Sequence, residues 1–207
     1  MRNRTENQIR LVLIRHGATA ANKEHRYLGK TDEALSEDGI LELKKMLGEG
    51  KYPSVTHLFS SPMKRCLETA QILYPDQKPV IVSEWEEIDF GAFEGKNYAE
   101  LKGDPRYQAW IDSNGTLPFP EGESREQFVE RCRQGLLHML TVLAIEAQNQ
   151  ERPICVGCVV HGGTIMALLS SYEQGEYFDY QRANGEGYVC ELLWEQGEIR
   201  LIHTEKI

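Results

Sequence analysis

The sequence predicts an α/β protein: three layers, α/β/α, with a mostly parallel central sheet, helices on both faces and a small cap excursion, all of 1–207 forming a single domain. Two observations carry that prediction. Short uninterrupted aliphatic runs, LVLI at 11–14 and ICVGCVV at 154–160, suit strands covered on both faces, as parallel strands are beneath helices. Segments of helical apolar spacing alternate with strand-like ones, and no repeat, low-complexity stretch or linker interrupts the alternation.

Leu11 to Ile14 form the first strand, and its hydrophobicity stops at Arg15. Arg15 and His16 therefore fall at the carboxyl end of that strand, with Gly17 permitting a tight turn; in open α/β sheets ligands bind along this edge. After a polar loop, Ser36 is the N-cap of a helix with Ile40, Leu43, Met46 and Leu47 on one face, closed by Gly48 and Gly50. Val55 to Phe59 is the next strand. Ser60, Ser61 and Pro62 supply an N-cap and a first-turn proline for a helix carrying Met63, Cys66, Leu67, Ala70 and Leu73, with Arg65 near its first turn.

Val80 to Val82 is a third strand, followed by the acidic segment SEWEEIDFGAFEG. Gly103, Pro105, Gly115, Pro118 and Pro120 break regular structure across 97–123, the cap. Ser124 and Gln127 make a capping box for a long helix with Phe128, Cys132, Leu136, Met139, Leu140 and Leu143 in one stripe, ending near Asn149. ICVGCVV then runs into His161-Gly162-Gly163 and a helix from Thr164 to Ser170. YVCELLW and EIRLIH flank Gln196-Gly197 as a hairpin.

Composition narrows the function. With 32 acidic against 23 basic residues the net charge is −9, which disfavours nucleic acid or an anionic membrane as partner, so any anion site must be local. No apolar stretch approaches the roughly 20 residues of a membrane span and no signal-peptide h-region opens the chain, so a cytoplasmic protein is expected. Five cysteines, mostly inside apolar segments, read as reduced thiols, and Cys155-x-x-Cys158 lies in a strand, not at the exposed helix start of a redox pair. No second Cys/His pair has the spacing of zinc ligands, so no metal and no cofactor is expected.

Two predicted strands thus end in histidine followed by glycine. If they are parallel neighbours, His16 and His161 share one rim of the sheet with Arg15, and Arg65 reaches it from its own helix start. Two arginines and two histidines at helix N-termini, with free amides such as that of Gly162, describe a pocket for a compact dianion, since guanidinium forks match phosphate oxygens in pairs. Glu84, Glu86, Glu87 and Asp89 are all chemically able to protonate a leaving group. His25, His57, His138 and His203 lack such context and read as surface or packing residues.

Arg15-His16-Gly17 followed by Thr19 and Asn22, then YLGKTDEALSEDGI, SSPMKRCLETA, EEIDFGAFEG, PEGES and VVHGGTI in order, resemble the histidine phosphatase superfamily, also called phosphoglycerate mutase-like. Ala18 departs from the pattern, where relatives usually carry an acidic residue. The resemblance implies that His16 is the nucleophile accepting a phosphoryl group, that Arg15, Arg65 and His161 clamp the phosphate with Thr19 and Asn22 beside them, and that Glu87, four residues before Gly91, is the proton donor. The implied partner is a small-molecule phosphate ester, turned over by a monomer or homodimer. HRYLGKTDEALSEDGI is similar to the alpha-ribazole phosphatases and points to Tyr27, Leu28 and Gly29 as substrate-binding residues, with Tyr98, Tyr107 and Trp110 in the cap. A phosphoglycerate mutase and a non-catalytic phosphate-binding module are the alternatives. The short cap argues against the former, and the acid together with both histidines against the latter.

Overall fold

The computed structural model describes residues 7–146, 154–195 and 198–207. Asn7–Arg15 form β1, whose partner β4 (Ile154–Val160) runs parallel to it with Arg15 opposite Val160. β2 (His57–Ser60) extends the sheet beyond β4 and β3 (Val80–Ile81) extends it beyond β2, both in parallel. On the other side β5 (Gly187–Glu195) pairs antiparallel with β1, and β6 (Glu198–Lys206) antiparallel with β5. The order is therefore β3-β2-β4-β1-β5-β6. The predicted hairpin is this last pair, although its turn at Gln196-Gly197 lies outside the described residues.

β1 is buried on both faces because side chains alternate along a strand and every one of Leu11 to Ile14 is apolar. Leu11 and Leu13 enter one core with Phe128, Cys132, Leu136 and Met139 of α6 (Arg125–Glu146) and Ile165 and Leu168 of α7 (Gly162–Tyr172). Val12 and Ile14 enter the other with Leu43 and Met46 of α2 (Glu37–Gly48) and Cys66, Ala70 and Leu73 of α3 (Lys64–Leu73). Each fully buried leucine or isoleucine contributes about 2 kcal/mol relative to exposure. The same alternation sends Cys155 and Cys158 to opposite cores, so these thiols cannot pair across the strand. Among the described residues no helix is long and apolar enough to cross a membrane.

Several boundaries differ from the sequence reading. α3 begins at Lys64, not beside Ser60 to Pro62, and Met63 takes the N-cap position without a side-chain bond. The serines are committed elsewhere: the Ser61 N–H donates to Val159 O and its hydroxyl faces His161, while the carboxylate of Asp32 accepts the Lys64 N–H at 2.7 Å from a distant loop. In α2, Gly48 is still helical and Gly50 alone takes the left-handed turn that follows, while Leu47 of the predicted face is exposed. α7 starts two residues early, at Gly162. The capping box of Ser124 and Gln127 is present in both directions; α6 is described to Glu146, so its predicted end near Asn149 lies outside the described residues. Within 97–123 the chain forms two short helices, α4 (Tyr98–Leu101) and α5 (Pro105–Asp112), and the residues just after α1 (Ala20–Lys23) meet the first of them, Glu24 O accepting from Asn97 Nδ2 and Arg26 pairing with Glu100.

Candidate active site

Because β1 and β4 are parallel and in register at their carboxyl ends, His16 and His161 leave the sheet side by side. Their rings meet edge to face with centroids 5.1 Å apart. The Nδ1 of His16 lies 2.7 Å from Gly17 O. A carbonyl only accepts, so Nδ1 carries the proton and Nε2 keeps its lone pair. Burial, then the charges of Arg65 and Arg15, hold the His16 imidazole well below its ordinary pKa, and the Gly17 bond opposes them only in part. His16 is thus a neutral base with a free Nε2 at physiological pH.

His161 is also held neutral, by burial and by Arg65. Its Nδ1 faces the Arg65 Nε at 3.4 Å, and an arginine only donates. The proton therefore sits on Nε2, which donates to Ser61 Oγ at 2.8 Å. Arg65, fully buried, also donates from Nη1 to Thr31 O and from Nη2 to Gly29 O, and the Glu94 carboxylate accepts the N–H groups of Gly29 and Thr31. One cation and one anion thus grip the same short loop from its two sides.

A cavity of about 580 Å³ opens over this rim, and Arg15, His16, Asn22, Glu87, Gly162 and Gly163 line its floor. Arg15 donates to Arg182 O at 2.6 Å, yet its Nε is buried with no hydrogen-bond partner among the described residues. An unpaired buried guanidinium N–H is costly, and beside the α7 N-terminus at Gly162 it is positioned to receive an oxyanion. Glu87 is nearly buried, and burial raises its carboxyl pKa, against the Ile88 N–H and the neighbouring arginines, toward the range of a general acid. Gly163 makes its reach possible: a Cβ there would lie 2.4 Å from Glu87 Oε1.

The acid segment is held by α6. Trp85 is fully buried against Gly135 with its indole N–H on Cys132 O, and Arg131 donates to the carbonyls of Glu84, Glu86 and Glu87 while pairing with Glu123 at 2.7 Å. Of the four candidate acids, Glu87 alone lines the cavity; Asp89 is paired with Lys30 and Glu84 with His138.

The structure brings Arg15, His16, Glu87, His161, Arg65, Asn22 and Gly162 around one point. Arg65 and His161 sit beneath the cavity surface, not in its wall. Thr19 is fully buried as the N-cap of α1 and Gly29 faces Arg65 and Glu94, so neither lines the cavity, whereas Tyr27 and Leu28 do. In the cap, Trp110 lines it; Tyr107 supports Tyr27 through a 3.0 Å hydroxyl contact, and Tyr98 is exposed elsewhere. His25, expected at the surface, is exposed at the cavity mouth.

Sequence reasoning missed Ser61, Arg131, Asn184 and the outer wall of Phe90, Phe119, Met166, Tyr177 and Phe178, with Arg125 lying over the last two rings. Only the tertiary fold brings these residues to the site, and no local spacing announces them.

Residues 11–205 match the family model of the histidine phosphatase superfamily (branch 1). A relative named "Probable phosphoglycerate mutase GpmB", from Proteus mirabilis, is 27% identical over 169 residues, covering 79% of this chain and 74% of its own. The 2,3-bisphosphoglycerate-dependent phosphoglycerate mutase of Corynebacterium diphtheriae is 34% identical over 131 residues, covering 58% of this chain, which spans about half of that relative's length (52%). Among solved structures, a phosphoserine phosphatase mutant of Entamoeba histolytica in complex with phosphoserine superposes with a TM-score of 0.71 at 26% identity, covering 96% of each chain. The alpha-ribazole phosphatase of Shigella flexneri shares the fold, with a TM-score of 0.71 at 22% identity over 95% of this chain and 96% of its own. With its two histidines, arginines and buried acid on one rim of the sheet, this chain belongs to the histidine phosphatase superfamily, a family of phosphatases and mutases.

Proposed function

We propose that the protein is a phosphomonoesterase that hydrolyses a small phosphorylated metabolite through a phosphohistidine on His16. The observation that carries this reading is the tautomer of His16: Nδ1–H is spent on Gly17 O, which leaves Nε2 as the nucleophile. In the first half-reaction Nε2 attacks phosphorus, the ester P–O bond breaks, and Glu87 gives its proton to the departing oxygen. In the second, the Glu87 carboxylate takes a proton from water as that water attacks phosphorus. The P–N bond breaks, inorganic phosphate leaves, and His16 is again neutral.

Charge on the transferring group is met by Arg15, whose Nε has no other partner among the described residues, by Arg65 beneath it, by the Asn22 side chain and by the amides of Gly162 and Gly163 at the start of α7. Thr19 contributes by capping the short helix that carries Asn22. His161 lies beneath the floor, edge-on to His16, and its neutral ring, held by Ser61 and Arg65, packs the nucleophile in place without adding a charge. On this reading cations of the protein do the work a metal ion does in other phosphoryl-transfer sites, and the five free thiols suit a cytoplasmic setting.

The leaving-group side of the cavity is walled by Tyr27, Phe90, Trp110, Phe119, Tyr177 and Phe178. Arg26 at its mouth is already paired with Glu24 and Glu100. Such a wall favours a leaving alcohol that carries a flat, apolar ring system, for which alpha-ribazole 5'-phosphate is our candidate, over the carboxylate of a phosphorylated sugar acid. A panel of alpha-ribazole 5'-phosphate, phosphoserine and 3-phosphoglycerate, assayed with and without 2,3-bisphosphoglycerate, tests both levels. Release of inorganic phosphate, fastest from alpha-ribazole 5'-phosphate, is the expected result. Isomerisation of 3-phosphoglycerate outpacing any hydrolysis would make the protein a mutase instead.

A further inference from the structure

We propose that Asn184 is a positioning residue for the phosphoryl site: it fixes the side-chain amide of Asn22 with the NH2 group, and not the carbonyl oxygen, turned to the transferring phosphate. The inference rests on the phosphatase reading, which places the oxyanion over His16.

The argument follows donors and acceptors through three residues. Asn184 stands on the segment leading into β5, and its Nδ2 lies 3.1 Å from His16 O and 3.4 Å from Gly17 O. Backbone carbonyls only accept, so they fix which end of the Asn184 amide faces the nucleophile's turn. The same Nδ2 lies 3.0 Å from Asn22 Oδ1, which also accepts the Thr19 N–H at 3.2 Å. Two donors on Oδ1 settle the Asn22 amide in turn. Asn22 lines the cavity, so the group it has left to offer an oxyanion there is its NH2. Flipped, it would set a carbonyl oxygen against the phosphate. The neighbouring Gly185 N–H on Arg15 O ties the Asn184 segment to the end of β1, so orientation passes from the sheet to the site.

A double-mutant cycle on the whole protein tests this, read as the dissociation constant of orthovanadate and as separate KM and kcat for a phosphate monoester. Asn22→Ala and Asn184→Ala are each expected to weaken vanadate about 10-fold, the size of one charge-assisted hydrogen bond. They should raise KM more than they lower kcat. If Asn184 acts through Asn22, the double variant loses about the same 10-fold. Asn184→Asp, whose carboxylate oxygens face the same carbonyls and repel Asn22 Oδ1, should lose more than Asn184→Ala. Additive losses of about 100-fold, or single variants that bind vanadate like the unaltered protein, would overturn the proposal and leave the phosphatase reading standing. Failure of the unaltered protein to bind vanadate would overturn that reading and this proposal with it. Should Asn184→Ala unfold, Asn184→Ser, which keeps one donor, carries the same cycle.

Discussion

The imidazole of His161 stands edge-on to that of His16, planes 68° apart, and each ring owes its tautomer to a different neighbour: Gly17 O for His16, Arg65 and Ser61 for His161. Two neutral imidazoles between two arginines have a thermodynamic consequence. Both have folded pKa values below the ordinary 6.5, so above that pH neither affects stability. Below it, the unfolded chain binds protons that the folded one refuses, and stability is lost as pH falls. Glu87, raised by burial, works in the opposite sense, so the comparison must keep it unchanged. His161→Asn should therefore flatten the fall in Tm between about pH 7 and 5. Parallel curves for the two proteins would contradict the neutral assignment.

In the proposed mechanism Glu87 donates its proton to the leaving oxygen, and the need for that proton depends on the leaving group. Glu87→Gln should slow hydrolysis of an alkyl phosphate by about 10²- to 10⁴-fold but that of p-nitrophenyl phosphate by less than about 10-fold. Steady-state kinetics on both esters decides. Equal losses would remove Glu87 from the acid role.

A single methyl group at Gly163 should separate geometry from chemistry. The Cβ of Gly163→Ala would lie 2.4 Å from Glu87 Oε1 and 3.0 Å from the Phe128 ring, so the acid must move while its carboxyl remains. Alkyl-ester turnover should fall about 100-fold with a Tm loss of only a few degrees. Unchanged kcat would show that Glu87 works from elsewhere.

The proposed charge stabilisation by Arg15 and Arg65 predicts that turnover survives prolonged dialysis against a chelator. Arg15→Leu should abolish measurable kcat/KM. Loss of activity on chelation, restored by adding a divalent metal, would contradict this assignment.

The parts of the site that were legible in the sequence share one cause. A strand buried on both faces cannot carry Arg15 and His16 inside it, so they mark its end, and the repeat of this pattern at His161 puts both on the same rim. Glu87 was separable from Glu84, Glu86 and Asp89 only through family resemblance; burial distinguishes it physically, and burial here comes from Trp85 and Arg131 on α6, far along the chain. Ser61 has the sequence signature of a helix cap, since serine before a helical stripe is one in most settings. Its hydroxyl serves His161 instead, and Asp32 accepts the N–H at the start of α3 from another loop. Gly29, a substrate contact by family resemblance, is the grip point of Arg65 and Glu94 and does not line the cavity, a placement set by side chains far along the chain. Asn184 had no local signal, since its whole role lies in contacts with residues at the opposite end of the chain.

The most direct test is chemical trapping of the intermediate. The protein is mixed with a rapidly turned-over phosphate ester, quenched in base to preserve phosphohistidine, digested and mapped by mass spectrometry. One phosphoryl group on the peptide carrying His16, absent after His16→Ala, is the expected result. Steady-state turnover with that histidine unmodified, or the label on a serine, cysteine or His161, would contradict the account.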